Sequence, residues 1–202
     1  VPNARLIAPM TQVTLRASVK SPSCFSLSFR AVVNVINTKG DRAKIATATG
    51  HAFLPRRHVQ LLANVKKKPS AENELVDIDW VGFAERLINA PYKWGGRTAW
   101  GLDCSALVQL SLAATGLDVP RDSGPQHEIG AHLDIESRLS KSNLRRGDLV
   151  FWQGHVGIMQ DHHRLLHANA YHMAVVSEPL EDAVTRISPI AGPITALRRP
   201  LF

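Results

Sequence analysis

The residues best suited to covalent chemistry lie in the segment GLDCSALVQL, which covers positions 101–110. Cys104 stands there between an acid, Asp103, and a hydroxyl, Ser105, where the sequence becomes apolar and helical. A thiol attacks as the thiolate, and the first turn of a helix favours that anion because its N–H groups are unpaired. The position predicts a nucleophile whose neighbouring N–H groups could also hold an oxyanion. The alternative is a buried, inert cysteine that packs as a small hydrophobe.

Two histidines could serve this thiol as a base and an orienting group. His155 begins one predicted strand and His167 lies on the next, with a turn centred near Asp161 or His162 between them. In that antiparallel hairpin we expect positions 155 and 167 to be opposite each other or one place out of register. One imidazole could take the thiol proton while the other orients it, as in acyl transfer by cysteine and histidine. The alternative for each histidine is a satisfied core or surface residue.

Other chemistries have less support in the sequence. His162, His163 and His167 suggest a zinc site, but adjacent turn residues diverge and no CxxC or HExxH spacing accompanies them. No glycine-rich phosphate loop followed by Lys and Ser or Thr is present. The stretch YKWGG has the aromatic and basic character of a nucleic-acid stacking site. Core packing, or the lining of a groove, is the more common use of a tryptophan such as Trp94.

The elements that must position these residues begin with two helices. One is predicted over 79–89, before Pro91, and the other starts at the cap Asp103 and stops at Gly116. Four strands with short turns follow as an antiparallel meander, at 148–152, 155–160, 164–168 and 174–178. Helices followed by strands indicate an α+β unit.

The first part of the chain differs in pattern and in charge. Short strands are predicted at 12–17, at 31–37, after a turn at 39–41, and in the first part of 50–59, which ends in a Pro-containing turn. This pattern is typical of a small β-barrel, and Cys24 is expected in its core. Residues 1–70 carry 12 Lys and Arg and one acid, whereas residues 71–202 carry 12 Lys and Arg and 16 acids. The split predicts two units joined by a linker at 66–74. The basic unit suits nucleic acid, an anionic surface or an anionic polymer, or its charge is only a solvated surface.

The totals limit the class of protein. The chain is 45% apolar and 20% charged, which is ordinary for a globular protein. No apolar run approaches the roughly 18 to 20 residues that span a bilayer. The chain begins at Val1 and not at Met, so we expect a processed or truncated product, and no signal-peptide pattern is present. Two cysteines are too few for a disulfide framework and favour a reducing compartment.

Five segments together resemble the NlpC-type cysteine peptidases of bacterial cell-wall peptides. They are PYKWGGRTAWGLDCSALVQ, PRDSGPQ, LRRGDLVFW, GHVGIMQD and LLHANAYHMAVV, in the order and spacing of the family. One departure is Ala106, where the family usually has Gly, but its methyl group touches no reacting atom. The resemblance implies an α+β, papain-like catalytic domain over 75–202, with N-terminal helices packed on the meander. GHAFLPRRHV resembles a bacterial SH3-like domain, which implies a small all-β barrel over 1–68.

The resemblance also implies roles for individual residues. Cys104 would be the nucleophile, His155 the base and His167 the residue that orients it, while the hydroxyl of Tyr92 would help to hold the oxyanion. A carboxylate beside the nucleophile would attract the free amine of a peptide substrate. The residues expected to contact the substrate are Asp103, Ser105, Ser123 and Trp94.

The activity implied is hydrolysis of murein stem peptides, at the bond between γ-D-glutamate and a diamino acid, in peptides with a free N-terminal L-Ala. We expect no metal or organic cofactor, no nucleic-acid partner and no membrane span, and murein-derived peptides or peptidoglycan as partners. Cytoplasmic recycling of wall peptides is favoured over a periplasmic or secreted role. Two alternatives stay open: a thioester-forming amidase or acyltransferase on the same fold, and a catalytically silent wall-binding module. The preferred diamino acid and the oligomeric state are left open.

Overall fold

The computed structural model describes residues 1–62, 79–140 and 143–201. The chain divides into two compact units, Val1–Leu75 and Val76–Phe202. The linker predicted at 66–74, and the domain limits predicted at positions 68 and 75, lie outside the described residues.

The first unit is built from short antiparallel strands in two sheets. The strands are β1 (Ala4–Leu6), β2 (Met10–Thr14), β3 (Ser23–Ser28), β4 (Val32–Val33), β5 (Val35–Lys39), β6 (Arg42–Thr47), β7 (Gly50–Pro55) and β8 (Val59–Leu61). One sheet has the order β3-β2-β7-β6-β5 and the other the order β4-β1-β8. Buried residues from both sheets, including Leu6, Val13, Ile45 and Leu54, form one hydrophobic core.

Two sequence predictions for this unit need correction. The apolar run at 31–37 is two strands, because β4 pairs with β1 while β5 pairs with β6 in the other sheet. The side chain of Asn3 bonds to both backbone groups of Val35 at this crossing, with distances of 2.7 and 2.8 Å. Cys24, expected in the core, is an exposed, free thiol on β3. The predicted turn at 39–41 connects β5 to β6, with Gly40 at φ 59°.

The second unit combines helices with a six-stranded antiparallel sheet. The helices are α1 (Trp80–Glu85), α2 (Cys104–Ala114), α3 (Ser123–Gln126), α4 (Ile135–Ser140) and α5 (Leu180–Ala191). The strands are β9 (Arg97–Thr98), β10 (Gly101–Leu102), β11 (Ala131–Leu133), β12 (Leu149–Trp152), β13 (His155–Met159), β14 (Arg164–Asn169), β15 (Ala174–Pro179) and β16 (Ala196–Arg199). No helix of the described ranges is both long and apolar enough to cross a membrane.

The meander lies in the middle of this sheet, with the order β11-β16-β12-β13-β14-β15. Its four strands begin and end within one residue of the predicted limits, whereas β11, β16 and α5 are absent from the sequence prediction. Helix α1 is shorter than predicted, since it ends at Glu85. The chain leaves the helix because Asn89, at φ 69°, donates its N–H to the carbonyl of Val175 on β15, at 2.9 Å.

The central strands of the sheet are buried on both faces. The residues of one face that pack with α5 include Val150, Trp152, Met159 and Leu165. Alternate residues, which point to the other face, are buried as well and include Phe151, Val156, Ile158 and Leu166. Because α2 contacts β13 and β14, the helix that begins at Cys104 covers that second face. The start of α2 is thereby fixed against β13, the strand that begins at His155.

Candidate active site

Cys104 is the first residue of α2, and Asp103 caps this helix as predicted. Oδ1 of Asp103 accepts the N–H of Ala106 at 2.9 Å, which is the usual N-cap hydrogen bond. Nine of the eleven residues of α2 are buried, so packing holds the helix and its first turn in place. Cys104 itself is only 7% exposed.

The sulfur of Cys104 lies among backbone donors. The N–H groups of Val156, Ser105 and Cys104 itself each favour the thiolate. Burial nevertheless raises the pKa of the Cys104 thiol, and the nearby carboxylate of Asp103 raises it further. The backbone donors at the start of the helix lower the pKa of the thiol, as expected, but the loss of solvent around the thiolate raises that pKa by more. The contact with Val156 places the sulfur beside the residue that follows His155.

His155 and His167 are hydrogen-bonded, with 2.8 Å between Nε2 of His155 and Nδ1 of His167. The predicted register is wrong, however. Ile158 pairs with Leu166, and the same ladder continued would place Asn169, not His167, opposite His155. The turn is therefore centred at position 162. A centre at position 161 would place His167 opposite His155, and a centre one residue later moves the residue opposite His155 by two positions, to Asn169. The imidazoles are diagonal neighbours on one face, a distance that rings can bridge.

Both imidazoles are neutral at neutral pH. Burial lowers the pKa of His155 to about 3, and the neighbouring His167 and Arg186 act in the same direction. Burial also lowers the pKa of His167, although the Glu178 carboxylate opposes this shift. A neutral imidazole is the form that accepts a proton, so the pair suits general-base chemistry.

A partly buried carboxylate, Glu178, lies behind His167 and was not predicted from the sequence. Oε1 of Glu178 lies 2.6 Å from Nε2 of His167, and Arg186 of α5 binds the same oxygen. Burial raises the pKa of Glu178, but the bonds from His167 and Arg186 outweigh it and the pKa falls to about 2. Val176 of β15 pairs with His167, so Glu178 is a diagonal neighbour on the same face. Only the β14–β15 register could have revealed it in advance.

Tyr92 lies near the nucleophile, as the resemblance implied. Its N–H donates to the carbonyl of Met173 at 2.9 Å, and a backbone bridge joins it to Leu102, two residues before Cys104. Burial raises the pKa of Tyr92, and the negative charges of Cys104 and Asp103 raise it further. The phenol is therefore held neutral, as a hydroxyl that can donate a hydrogen bond.

The carboxylate of Asp103 already has a partner within the protein. Arg121 donates to Oδ2 at 2.6 Å and to Oδ1 at 2.9 Å, and the N–H of Gly95 donates to Oδ2 at 2.9 Å. Burial raises the pKa of Asp103, but these donors and the cap bond lower it below its usual value. Arg121 also donates to Oγ of Ser105 at 2.8 Å. Arg121, which was not predicted as a site residue, neutralises the charge that was expected to attract an ammonium group.

One pocket brings the expected substrate contacts together with Cys104. Its lining residues are Trp94, Gly95, Asp103, Cys104, Ser105, Arg121, Asp122, Ser123 and Gly154. The side of the pocket formed by Trp94 is open, because this residue is 81% exposed. All four residues expected to contact a substrate thus line the same pocket as Cys104.

The described residues do not gather into a metal centre. Within residues 1–62, 79–140 and 143–201, no group of three or more His, Cys, Asp or Glu side chains could hold a metal ion. The rings of His162 and His163 contact each other at a tilt of 44°, with centroids 3.9 Å apart, in the exposed turn between β13 and β14. His167 is fully buried and bonded to His155 and Glu178.

Comparison with known proteins identifies the second unit. Residues 89–187 match the model of the NlpC/P60 family. The gamma-D-glutamyl-L-lysine dipeptidyl-peptidase of Bacillus cereus (strain ATCC 10987 / NRS 248) is 29% identical over 57% of this chain and 32% of its own length. The murein DD-endopeptidase MepS/murein LD-carboxypeptidase of Escherichia coli (strain K12) is 32% identical over 56% of this chain and 58% of its own length.

The crystal structure of an NlpC/P60 family protein from Bacillus cereus ATCC 10987 shares the fold. It superposes with a TM-score of 0.72 over 100% of this chain and 64% of that one, at 23% sequence identity. This chain spans only part of the length of these relatives. The second unit therefore carries a region, residues 89–187, that matches the NlpC/P60 family model, in a chain similar in sequence to two peptidases and in fold to an NlpC/P60 family protein.

Proposed function

We propose that this chain is a cysteine peptidase that hydrolyses murein stem peptides. The scissile bond would join γ-D-glutamate to a diamino acid, in a peptide with a free N-terminal L-Ala. One observation carries the proposal: the sulfur of Cys104 contacts the N–H of Val156, next to His155, whose ring is bonded to His167. The relatives support the substrate class, because their names are those of a γ-D-glutamyl peptidase and a murein endopeptidase.

The chemistry begins with a neutral thiol and a neutral imidazole. Nε2 of His155 is bonded to His167, so Nδ1 is the nitrogen left to take the proton of Cys104. As the proton moves, the sulfur attacks the peptide carbonyl and a C–S bond forms. The N–H of Cys104 and the hydroxyl of Tyr92 hold the resulting oxyanion. The C–N bond then breaks, His155 gives its proton to the leaving amine, and water hydrolyses the thioester.

The pocket would hold the N-terminal part of the peptide. A free amine gains less beside Asp103 than beside an unpaired carboxylate, because Arg121 donates to both of its oxygens. Asp122 lines the same pocket with its side chain 80% exposed, and supplies a second negative charge. We place the substrate amine between these two carboxylates, with Ser123 and Trp94 along the peptide.

The test is mass spectrometry of an L-Ala-γ-D-Glu-diamino acid peptide, with a free or a blocked amine, after incubation with the protein. We expect cleavage after γ-D-Glu, and faster cleavage of the free peptide. Cys104→Ala should abolish it, because no other group can form the acyl-enzyme. The matched control is Cys24→Ala, an exposed thiol of the first unit, which should stay within about twofold of the parent. Cleavage by Cys104→Ala at the parent rate would remove the nucleophile assignment.

One observation favours a second candidate, a catalytically silent wall-binding module. The raised pKa of Cys104 means that little thiolate is present at neutral pH. A silent module would bind peptidoglycan equally well with Cys104 alkylated, and its thiol would react no faster than a free cysteine. The bonded histidine pair favours the peptidase instead, because its first member, His155, precedes the residue whose N–H contacts the sulfur. An amidase or acyltransferase would share the thioester and would reveal itself by transfer products when amine acceptors are added.

For the first unit we propose an SH3-like barrel over residues 1–68, ahead of a papain-like domain over 75–202. Two antiparallel sheets around one shared core support this architecture. Its excess of Lys and Arg suits an anionic polymer, and the carboxylate-rich peptides of the wall are of that class.

A further inference from the structure

We propose that Glu178 is a positioning residue that sets the tautomers of both histidines and so leaves Nδ1 of His155 free to accept the thiol proton. The catalytic meaning of this inference rests on the proposed function. The tautomers themselves do not depend on the proposed function, because they are a property of the protein without a substrate and can be measured there.

The first step concerns His167. Glu178 is ionised, because Arg186 and His167 hold its pKa at about 2. An ionised carboxylate only accepts hydrogen bonds, so Nε2 of His167, 2.6 Å from its oxygen, must carry the hydrogen. In a neutral imidazole the other nitrogen is then bare. Nδ1 of His167 is therefore an acceptor.

The second step carries this choice to His155. Nδ1 of His167 lies 2.8 Å from Nε2 of His155, so Nε2 of His155 must donate. His155 is neutral, since burial lowers its pKa to about 3, and its single ring hydrogen is thus on Nε2. Nδ1 of His155 is left as a lone pair. This is the arrangement that a general base for Cys104 requires.

Asn169 competes for the same nitrogen of His167. Its Oδ1 accepts the backbone N–H of His172 at 2.8 Å, so its amide NH₂ is the group that faces Nε2 of His167, at 3.0 Å. If this NH₂ donated to Nε2, the hydrogen of His167 would move to Nδ1. Nε2 of His155 would then have to accept, and the hydrogen of His155 would lie on Nδ1. In that arrangement the base could not take a proton from the thiol.

Glu178 decides between the two arrangements. A hydrogen bond to an ionised oxygen is about twice as strong as a bond between neutral groups. The 2.6 Å contact of Nε2 with Glu178 therefore prevails over the 3.0 Å contact with the Asn169 amide. Arg186, stacked with its guanidinium carbon 4.5 Å from the centre of the Tyr171 ring, keeps Glu178 ionised and in place.

The first experiment uses the parent protein and needs no peptide. Nitrogen-15 NMR of labelled histidines distinguishes the two tautomers of a neutral ring, with His155→Gln and His167→Gln used to assign the signals. We expect both His155 and His167 to carry hydrogen on Nε2. Hydrogen on Nδ1 of either ring overturns the inference, whatever the protein cleaves.

The second experiment restores an acceptor from the opposite side. Glu178→Ala should lower kcat by about 10- to 10³-fold with a much smaller change in KM. The reason is that a histidine in the wrong tautomer loses most of the rate acceleration that a general base supplies. Adding Asn169→Asp supplies a carboxylate where the competing amide was, and should recover kcat by at least about tenfold. A purely structural Glu178 predicts no such recovery, since the second substitution replaces none of its packing.

The outcomes separate the two proposals. An unchanged kcat in Glu178→Ala, or a double variant as slow as the single one, overturns the positioning role. If Glu178→Ala does not fold, the tautomers of the parent decide. If the parent cleaves no murein peptide, the proposed function fails, while Nε2–H on both rings still supports the inference.

Discussion

The two units of the chain treat their buried polar groups in opposite ways. Among the described residues of the first unit, the buried ionisable side chain bonds to a neutral partner: Arg42 donates to Oγ1 of Thr14 at 2.6 Å, and the buried Thr11 bonds to a ring nitrogen of His58 at 2.8 Å. The second unit instead joins its buried ionisable side chains to other ionisable side chains. Asp103 joins Arg121 there, and a histidine pair leads to Glu178.

This difference locates the chemistry better than net charge does. The first unit carries the excess of Lys and Arg, yet these groups are mostly at its surface and need no special structure. Burying ionisable groups costs folding free energy, so a protein tends to do it where function requires shifted pKa values. In this chain such groups lie in the unit that contains Cys104, whose net charge is the smaller one.

The contrast between the two units predicts its largest effect on activity for a substitution at His155. His155→Ala removes the base and should lower kcat/KM by about 10² to 10⁴ in the peptide assay. The matched control is His51→Ala, an exposed histidine on β7 of the first unit, which should cleave at nearly the parent rate. Equal losses in the two variants would mean that the histidines of the second unit have no special part in the reaction.

Local sequence was sufficient for the elements that place the nucleophile. An acid before an apolar helical run predicted the cap at Asp103, and Gly116, at φ 91°, follows the end of α2 as expected. Apolar segments separated by short turns predicted the meander. These features depend on residues close together in the chain, which is why a single sequence shows them.

Long-range partners could not be predicted in the same way. Arg121 reaches Asp103 across 18 positions, and Glu178 reaches His167 only through the β14–β15 register. The β13–β14 register was predicted wrongly because a shift of one residue at the turn moves the opposed residue by two. Strand β16 has the sequence ALRR, without clear alternation, and its place between β11 and β12 follows from tertiary pairing. The imidazoles meet in spite of the register error because their side chains are long.

A smaller effect is expected from replacing one arginine in each unit, the partly buried Arg121 and the buried Arg42. Arg121→Met should destabilise the second unit by about 1 to 3 kcal/mol, because it leaves the nearly buried Asp103 carboxylate without its cation. Arg42→Met should cost the first unit less than about 1 kcal/mol, since its partner Thr14 is neutral and also bonds to a backbone carbonyl. Urea unfolding, followed by circular dichroism and by tryptophan fluorescence, measures both changes. A larger loss in Arg42→Met than in Arg121→Met would contradict the contrast.

The smallest effect is the pH dependence of stability in the second unit. Burial lowers the pKa of His155 and of His167 below the ordinary value of 6.5, so the unfolded chain binds protons more readily than the folded one. The free energy of unfolding is therefore full above about pH 6.5 and falls as the pH decreases, by at most about 1.4 kcal/mol per pH unit for each histidine.

Fluorescence isolates this effect, because all four tryptophans of the chain, Trp80, Trp94, Trp100 and Trp152, belong to the second unit. Between pH 6.5 and about 5, above the range in which carboxylates titrate in the unfolded chain, His155→Gln should reduce the slope, by an amount that grows toward the limit of about 1.4 kcal/mol per pH unit as the pH falls. His51→Gln should keep the slope of the parent, because its unit contains no tryptophan. If the unfolding free energy of the parent does not change over this window, the pKa values of His155 and His167 are not lowered in the folded protein. His155 would then not be held in the neutral form that accepts a proton from Cys104.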